Sequence, residues 1–164
     1  MKKILLLLLL AITFSSCEKD DICTEETTPR LVLEFYDISN PSNLKNVVNL
    51  KVKAVGVTDD LGTYNGVSKV KLPLKIDGTT TKYSLVLNST SSTFYNEDFL
   101  QFDYATHNVY VSRACGYKTT FTLNSPNGVT KTDAATPDGF WIQQINVQTT
   151  NIETENETHI KIYF

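Results

Sequence analysis

Apolar and polar residues alternate along most of this chain, and the alternation has period two. Leu31, Leu33 and Phe35 interleave with Val32, Glu34 and Tyr36, while Val48, Leu50, Val52 and Ala54 share a parity against Asn49, Lys51 and Lys53. The pattern returns with Val70, Leu72, Leu74 and Ile76 against Lys69, Lys71 and Lys75, and again with Tyr83, Leu85 and Leu87. Leu100, Phe102 and Tyr104 follow, then Val109 and Val111, then Tyr117, Thr119, Phe121 and Leu123 opposite Lys118, Thr120 and Thr122. Ile160, Ile162 and Phe164 close the series with His159, Lys161 and Tyr163 on the other parity, which predicts a solvent-facing His159. Successive strand side chains point to opposite faces, so each run predicts a strand with one buried face. No stretch after Cys17 carries a long apolar period of 3.6.

Turn-forming pairs separate the runs: Asn40-Pro41, Asp77-Gly78, Asn127-Gly128 and Asp138-Gly139. About nine short strands with one apolar face each predict an all-β fold, a two-sheet antiparallel β-sandwich that is immunoglobulin-like in the broad sense. A closed barrel is the alternative. Phe140-Trp141-Ile142 and Ile145-Asn146-Val147 fall out of step across Gln143-Gln144, and a β-bulge there would restore one buried face. Trp141 is expected in the core. The polar stretches 88–98 and 124–139 exceed ordinary hairpin loops, which makes them the expected carriers of a binding function.

The N-terminal end follows a different pattern. Lys2 and Lys3 precede an unbroken apolar run from Ile4 to Ile12, too short for a bilayer core that needs about 20 helical residues. A charged start, a short apolar centre and small residues after it predict a secretory leader over residues 1–16. Thr13-Phe14-Ser15-Ser16-Cys17 resembles the lipobox of bacterial lipoproteins, with Phe14 standing where that pattern usually has Leu. The resemblance implies cleavage before Cys17 and a diacylglycerol on its sulfur; the competing reading is an ordinary leader with a coincidental cysteine. Acyl chains contribute about 0.8 kcal/mol per buried CH₂, so two or more hold a protein on a bilayer. Glu18-Lys19-Asp20-Asp21 resembles the acidic signal that sends Bacteroidetes-type lipoproteins to the cell surface, or else it is a solvated tether. The expected organisation is leader 1–16, lipidated tether 17–28 and sandwich domain 29–164.

Composition narrows the rest. The 164 residues are 41% hydrophobic and 20% charged, which excludes a disordered chain. Fifteen basic residues against eighteen acidic ones leave no surplus for a nucleic-acid binder. With Cys17 lipidated, Cys23 and Cys115 remain, and two cysteines in an oxidising compartment predict one disulfide. Two unpaired thiols are the alternative, and no histidine lies near either cysteine to suggest a metal.

Candidate chemistry is sparse. His107, in a predicted turn, and His159 are the two histidines that could serve as a catalytic base. Glu97-Asp98 and Glu153, Glu155 and Glu157 could supply paired carboxylates by residue type alone. Asp59-Asp60 lacks the alternating ligands of a calcium loop, and no phosphate-binding glycine loop or Cys-x-x-Cys occurs, so no cofactor or metal is expected. Lys51, Lys53, Lys69, Lys71 and Lys75 would make a basic face if their strands were neighbours, or else they keep an outer sheet face soluble. Tyr64, Phe94 and Tyr95 flank loops and are the candidate ligand-contact residues, since exposed aromatics stack on sugar rings. Arg113, on the parity of Val111 and Cys115, is read as a strand-end or ion-pairing residue.

The segments Cys17–Cys23, Thr28-Pro29-Arg30-Leu31 and Val111–Tyr117 together resemble a family of small Bacteroidetes lipoproteins of unknown function. The resemblance implies origin and anchoring, and no activity. The resulting expectation is a non-catalytic binding or envelope-assembly sandwich, held on the outer membrane by an N-terminal acyl anchor. An envelope protein is placed ahead of a glycan as its partner. The rival is a small hydrolase of cell-wall or dietary polysaccharide.

Overall fold

The computed structural model describes residues 22–25 and 27–164. The leader, Cys17 and the acidic cluster 18–21 lie outside the described residues. Eleven strands make up the regular structure: β1 Leu31–Tyr36, β2 Leu50–Ala54, β3 Asp60–Tyr64, β4 Lys69–Leu72, β5 Thr80–Leu87 and β6 Asn96–Ser112. The others are β7 Gly116–Leu123, β8 Val129–Asp133, β9 Gln144–Val147, β10 Asn151–Ile152 and β11 Ile160–Tyr163. They form two sheets, a small one ordered β4-β1-β11-β9 and a large one ordered β10-β7-β6-β5-β2-β3 with β8 beside β6. This is the sandwich that the alternation predicts, and the barrel reading falls. One pair, β1 with β11, runs parallel and joins Leu33 to Ile160 and Phe35 to Ile162.

Inward residues of both sheets meet in a single core. Leu33, Phe35, Leu72, Ile160 and Ile162 come from the small sheet; Leu50, Val52, Leu85, Leu100, Phe102, Phe121 and Leu123 come from the large one. Interior β1 has Val32 buried as well as Leu31 and Leu33, so neither of its faces is wet there. Several runs stop earlier than the alternation suggests. Val48 precedes β2 and Ile76 follows β4, and both are exposed because no strand carries them over the core. The predicted break between Tyr104 and Val109 is absent: β6 is one strand of 17 residues that leaves the core partway along. His107 therefore lies in mid-strand rather than in a turn.

Phe140–Ile142 is not a bulged strand but a crossover from the large sheet to β9. Its backbone is held by side chains. The Ile142 N–H donates to the Asp98 Oδ2 at 2.7 Å, and the Lys131 ammonium donates to the Ile142 carbonyl. The Trp141 Nε1–H donates to the Leu85 carbonyl at 3.1 Å, while its ring meets Phe35 at 6.4 Å and Phe164 edge-on at 5.5 Å. One side chain thus touches both sheets, and Trp141 is buried as expected.

The second long polar stretch is also more ordered than expected, because β8 lies inside it. Gly128 precedes β8 and admits no side chain: a Cβ there would stand 2.3 Å from the Asn124 carbonyl oxygen. Cys23 and Cys115 are joined by a disulfide with Cα atoms 4.8 Å apart. Closing a loop with a separation of 92 residues is worth up to ~4.6 kcal/mol in the chain-entropy account.

Replacing the sheet-spanning indole tests this packing. Trp141→Ala is expected to lower unfolding free energy by about 3–5 kcal/mol, as buried aromatic truncations do. Trp141→Phe, which keeps most of the ring, should cost clearly less. Urea midpoints for the two variants check this, and equal losses would show that the ring packing is not what joins the sheets.

Candidate functional site

The outward parity of the large sheet arranges side chains in rows across β2, β5 and β6. The register sets Lys51 beside Val86 and Val86 beside Glu97; one step along, Lys53 lies beside Ser84 and Ser84 beside Phe99. Ser84 and Val86 are buried although they point away from the core, because taller neighbours rise around them. Two adjoining depressions result, of about 450 and 320 Å³, and both are lined by Lys53, Ser84 and Glu97. The first is closed by the turn Val55–Thr58 and Phe99, the second by Lys51, Ser89 and Tyr95.

Glu97 is held at the centre of this groove. The Ser84 hydroxyl donates to one of its carboxylate oxygens, and the Tyr95 hydroxyl donates to the other at 3.3 Å. Burial and then the neighbouring carboxylate of Glu97 push the Tyr95 phenol up, so it stays a proton donor at neutral pH. The Lys82 ammonium sits 4.8 Å from the centre of the Phe99 ring at the far wall. Lys51 is paired with Asp60 at 3.0 Å. Phe94 is 73% exposed and Tyr95 45% exposed, on the loop that leads into β6. The loop is shaped by Ser91, whose hydroxyl oxygen accepts the N–H groups of Thr93 and Phe94. The groove therefore offers a carboxylate acceptor, ammonium donors and the Tyr95 ring on one wall, with exposed Phe94 preceding it in the loop.

Of the three aromatic candidates, the fold brings Phe94 and Tyr95 together and sends Tyr64 elsewhere. Tyr64 pairs with Leu50 in the register, shares its inward parity and packs against the core. The five lysines do not form one face. Lys51 and Lys53 belong to β2 in the large sheet, Lys69 and Lys71 to β4 in the small one, and Lys75 follows β4. Lys69 is paired with Glu34 at 3.2 Å and Lys71 with Glu155 at 2.9 Å. Glu155 also takes a bidentate contact from the Arg30 guanidinium at 2.7 and 2.8 Å, which holds its carboxyl down at about 2. A cavity of about 440 Å³ beside this cluster is lined by Arg30, Lys71 and Glu155, with both cations already engaged by the one carboxylate. Arg113 is exposed in the turn after β6.

His159 corrects its expectation most clearly, being fully buried. Its Nδ1 accepts the Val32 N–H at 2.8 Å, and its backbone N–H donates to the Val32 carbonyl at 3.1 Å. The imidazole thus extends the β1–β11 ladder by one residue. Accepting at Nδ1 requires the neutral ring, and burial pushes its pKa down. Exposed His107 lies 3.2 Å from the Thr122 hydroxyl on the large sheet. Asp98 is likewise no solvated carboxylate: it is buried under the Phe140–Ile142 crossover, and burial raises its pKa to about 6. Period-two parity alone could have placed Asp98 inward, since it shares parity with Leu100, Phe102 and Tyr104. Among the described residues, no group of three or more His, Cys, Asp or Glu side chains is arranged to hold a metal.

Residues 49–164 match the Family of unknown function (DUF6452), and the chain belongs to that family. No curated protein and no solved structure matches the chain. The matched segment contains the whole groove and every strand except β1. Among the described residues, no helix is long and apolar enough to cross a membrane.

The two buried ionisable groups act on stability in opposite directions. The Asp98 pKa is raised from 3.8 to about 6, so the folded state binds its proton more tightly than the unfolded state does. Its contribution is most favourable below about pH 4 and is lost as pH rises to about 6. The His159 pKa is lowered, so its contribution is fully present above the unfolded value of 6.5 and declines as pH falls below it. Asp98→Asn should therefore gain on the parent protein in denaturant midpoint as pH rises from 4 to 7. Parallel pH profiles for the two proteins would refute this assignment.

Proposed function

We propose that this chain is a lipid-anchored envelope protein whose sandwich binds a polyhydroxylated ligand, such as a glycan, in the groove of the large sheet without catalysis. The observation that carries this reading is half-exposed Tyr95 on the wall of a groove that contains Lys53 and Glu97, with exposed Phe94 preceding it in the loop. Sugar rings present apolar C–H faces and a rim of hydroxyls, and binding them calls for a flat aromatic surface beside fixed donors and acceptors. Glu97 is pre-positioned by Ser84 and Tyr95, which lowers the ordering cost of binding. A protein partner would instead favour an apolar sheet face, and the groove floor alternates Val86 with Ser84 between charged walls.

The anchoring half of the reading rests on the sequence. Lys2–Ile12 followed by Ser15-Ser16-Cys17 supports acylation at Cys17, as in bacterial lipoproteins of Bacteroidetes type. The acidic residues after Cys17 support the outer membrane as the address, with the outer face favoured over the periplasmic one.

Two measurements test the two halves separately. Titration of the protein against cell-wall and dietary oligosaccharides should give saturable binding that Tyr95→Ala weakens about tenfold, or ~1.4 kcal/mol. Tyr64→Phe should leave it unchanged. Failure of every glycan to bind, or binding indifferent to Tyr95→Ala and Lys53→Ala, would reject the groove. In cells, labelling with radioactive palmitate should disappear in Cys17→Ser; label that survives the substitution would reject the anchor.

A further inference from the structure

Beyond Tyr104, β6 leaves β5 and runs on beside β7, which β10 flanks at Phe121 and Thr122, and past that point the two form a two-stranded ribbon. The last pair that β6 makes with β5 is Thr80 with Asp103, whereas its pairing with β7 runs from Tyr104 with Leu123 out to Ser112 with Gly116. Ala105 to Tyr110 are all exposed, while on β7 Thr119, Thr120 and Phe121 are still buried, so only the tip beyond them, with the Tyr110–Tyr117 pair, lies past the packed sheets. Gly116, with φ of 68°, closes the turn at the far end.

Two observations at this tip point to what it meets. The first is its surface. Tyr110 and Tyr117 pair across the strands with ring centroids 5.4 Å apart, and they are 56% and 71% exposed. They share the parity of Phe121 and Leu123, so the face that is core further along is uncovered here. Val109 is exposed on the opposite face, Ile22 is 76% exposed next to Cys23, and Arg113 is exposed in the turn. Amphipathic rings beside aliphatic residues and a cation match the chemistry of a bilayer's headgroup layer.

The second observation is where the chain leaves the fold. The disulfide fixes Cys23 to Cys115, two residues before Tyr117, and the Thr119 N–H donates to the Thr28 hydroxyl at 3.0 Å. The N-terminal segment is therefore tied along β7 to the ribbon tip. Six Cα–Cα steps lead from Cys17 to Cys23, a span of at most about 20 Å when fully extended. Without the bridge, the first tie would be Thr28, and the permitted span would nearly double.

We propose that the β6–β7 ribbon tip, through Tyr110 and Tyr117, rests in the headgroup layer of the membrane that holds the lipidated Cys17. This inference depends on the acylation proposed above and adds a second contact to it. The tip then fixes the orientation of the sandwich on the bilayer rather than leaving it to swing on its tether. The acyl chains of Cys17 supply the hold, and a second interfacial contact adds to it and sets the orientation.

The test uses the full chain, purified in detergent and reconstituted into phosphatidylcholine vesicles, with Tyr117→Trp as reporter and Tyr110→Trp as a second. Mass spectrometry of the Cys17 peptide reads the anchor independently, and the buried Trp141 of the parent protein supplies the background emission and the check on folding. With Cys17 acylated, the reporters should show blue-shifted emission that loses intensity when the lipid carries bromine near the headgroup, while the parent's emission is unchanged. Acylated protein with unquenched reporters overturns the docking and leaves the anchor standing. Unquenched reporters that are nonetheless blue-shifted, with vesicle-bound dimers captured by cross-linking, overturn it in favour of a second copy of the chain. A Cys17 peptide without acyl mass overturns anchor and docking together.

Discussion

The crossover at Phe140–Ile142 is the constraint on which the rest of the sandwich depends. It has left the large sheet's ladder and not yet entered β9, so its backbone groups need partners other than a neighbouring strand. Asp98, Lys131 and Trp141 supply them: a carboxylate takes the Ile142 N–H, an ammonium reaches the Ile142 carbonyl, and the indole binds back to Leu85. The same indole packs on Phe35 and Phe164 of the other sheet. A buried carboxylate is costly, and here it is retained because a backbone N–H that must be buried has no other acceptor. Asp98 thus has an architectural role through its Oδ2.

That explanation shows where the sequence was legible and where it was not. Alternation identified the strands of the core and the sandwich class, because a half-buried strand leaves a period-two trace wherever one face stays wet. It misread β1, whose Val32 is buried on the face that Glu34 and Tyr36 leave partly open. It also misread His159, because a histidine used as a backbone acceptor leaves the same trace as a solvated one. The aromatic candidates divided for a related reason: Phe94 and Tyr95 stand on a loop, whereas Tyr64 ends a strand, and only pairing with Leu50 reveals that its parity is inward. The basic face failed because its lysines come from strands that local spacing cannot assign to different sheets. Ser84 and Val86 gave no signal as a groove floor, since their burial arises from the height of side chains on two neighbouring strands.

The continuity of β6 links the two functional surfaces. Its first half supplies Glu97 and Phe99 to the groove, and its second half carries Tyr110 to the ribbon tip. A strand of 17 residues rises about 3.3 Å per residue, which separates those surfaces by several tens of Å along one rigid element. The groove and the ribbon tip thereby stand at different ends of the same strand.

The parallel pairing of β1 with β11 bears on the order in which the molecule can assemble. Leu33 must wait for Ile160 and Phe35 for Ile162, so the small sheet cannot close until residues 160–163 have been synthesised. The small sheet therefore stays open until then, with β1 paired to β4 on one side only. An early segment of the fold is thereby locked only by a late one, so synthesis halted before residue 160 would leave the small sheet without its centre.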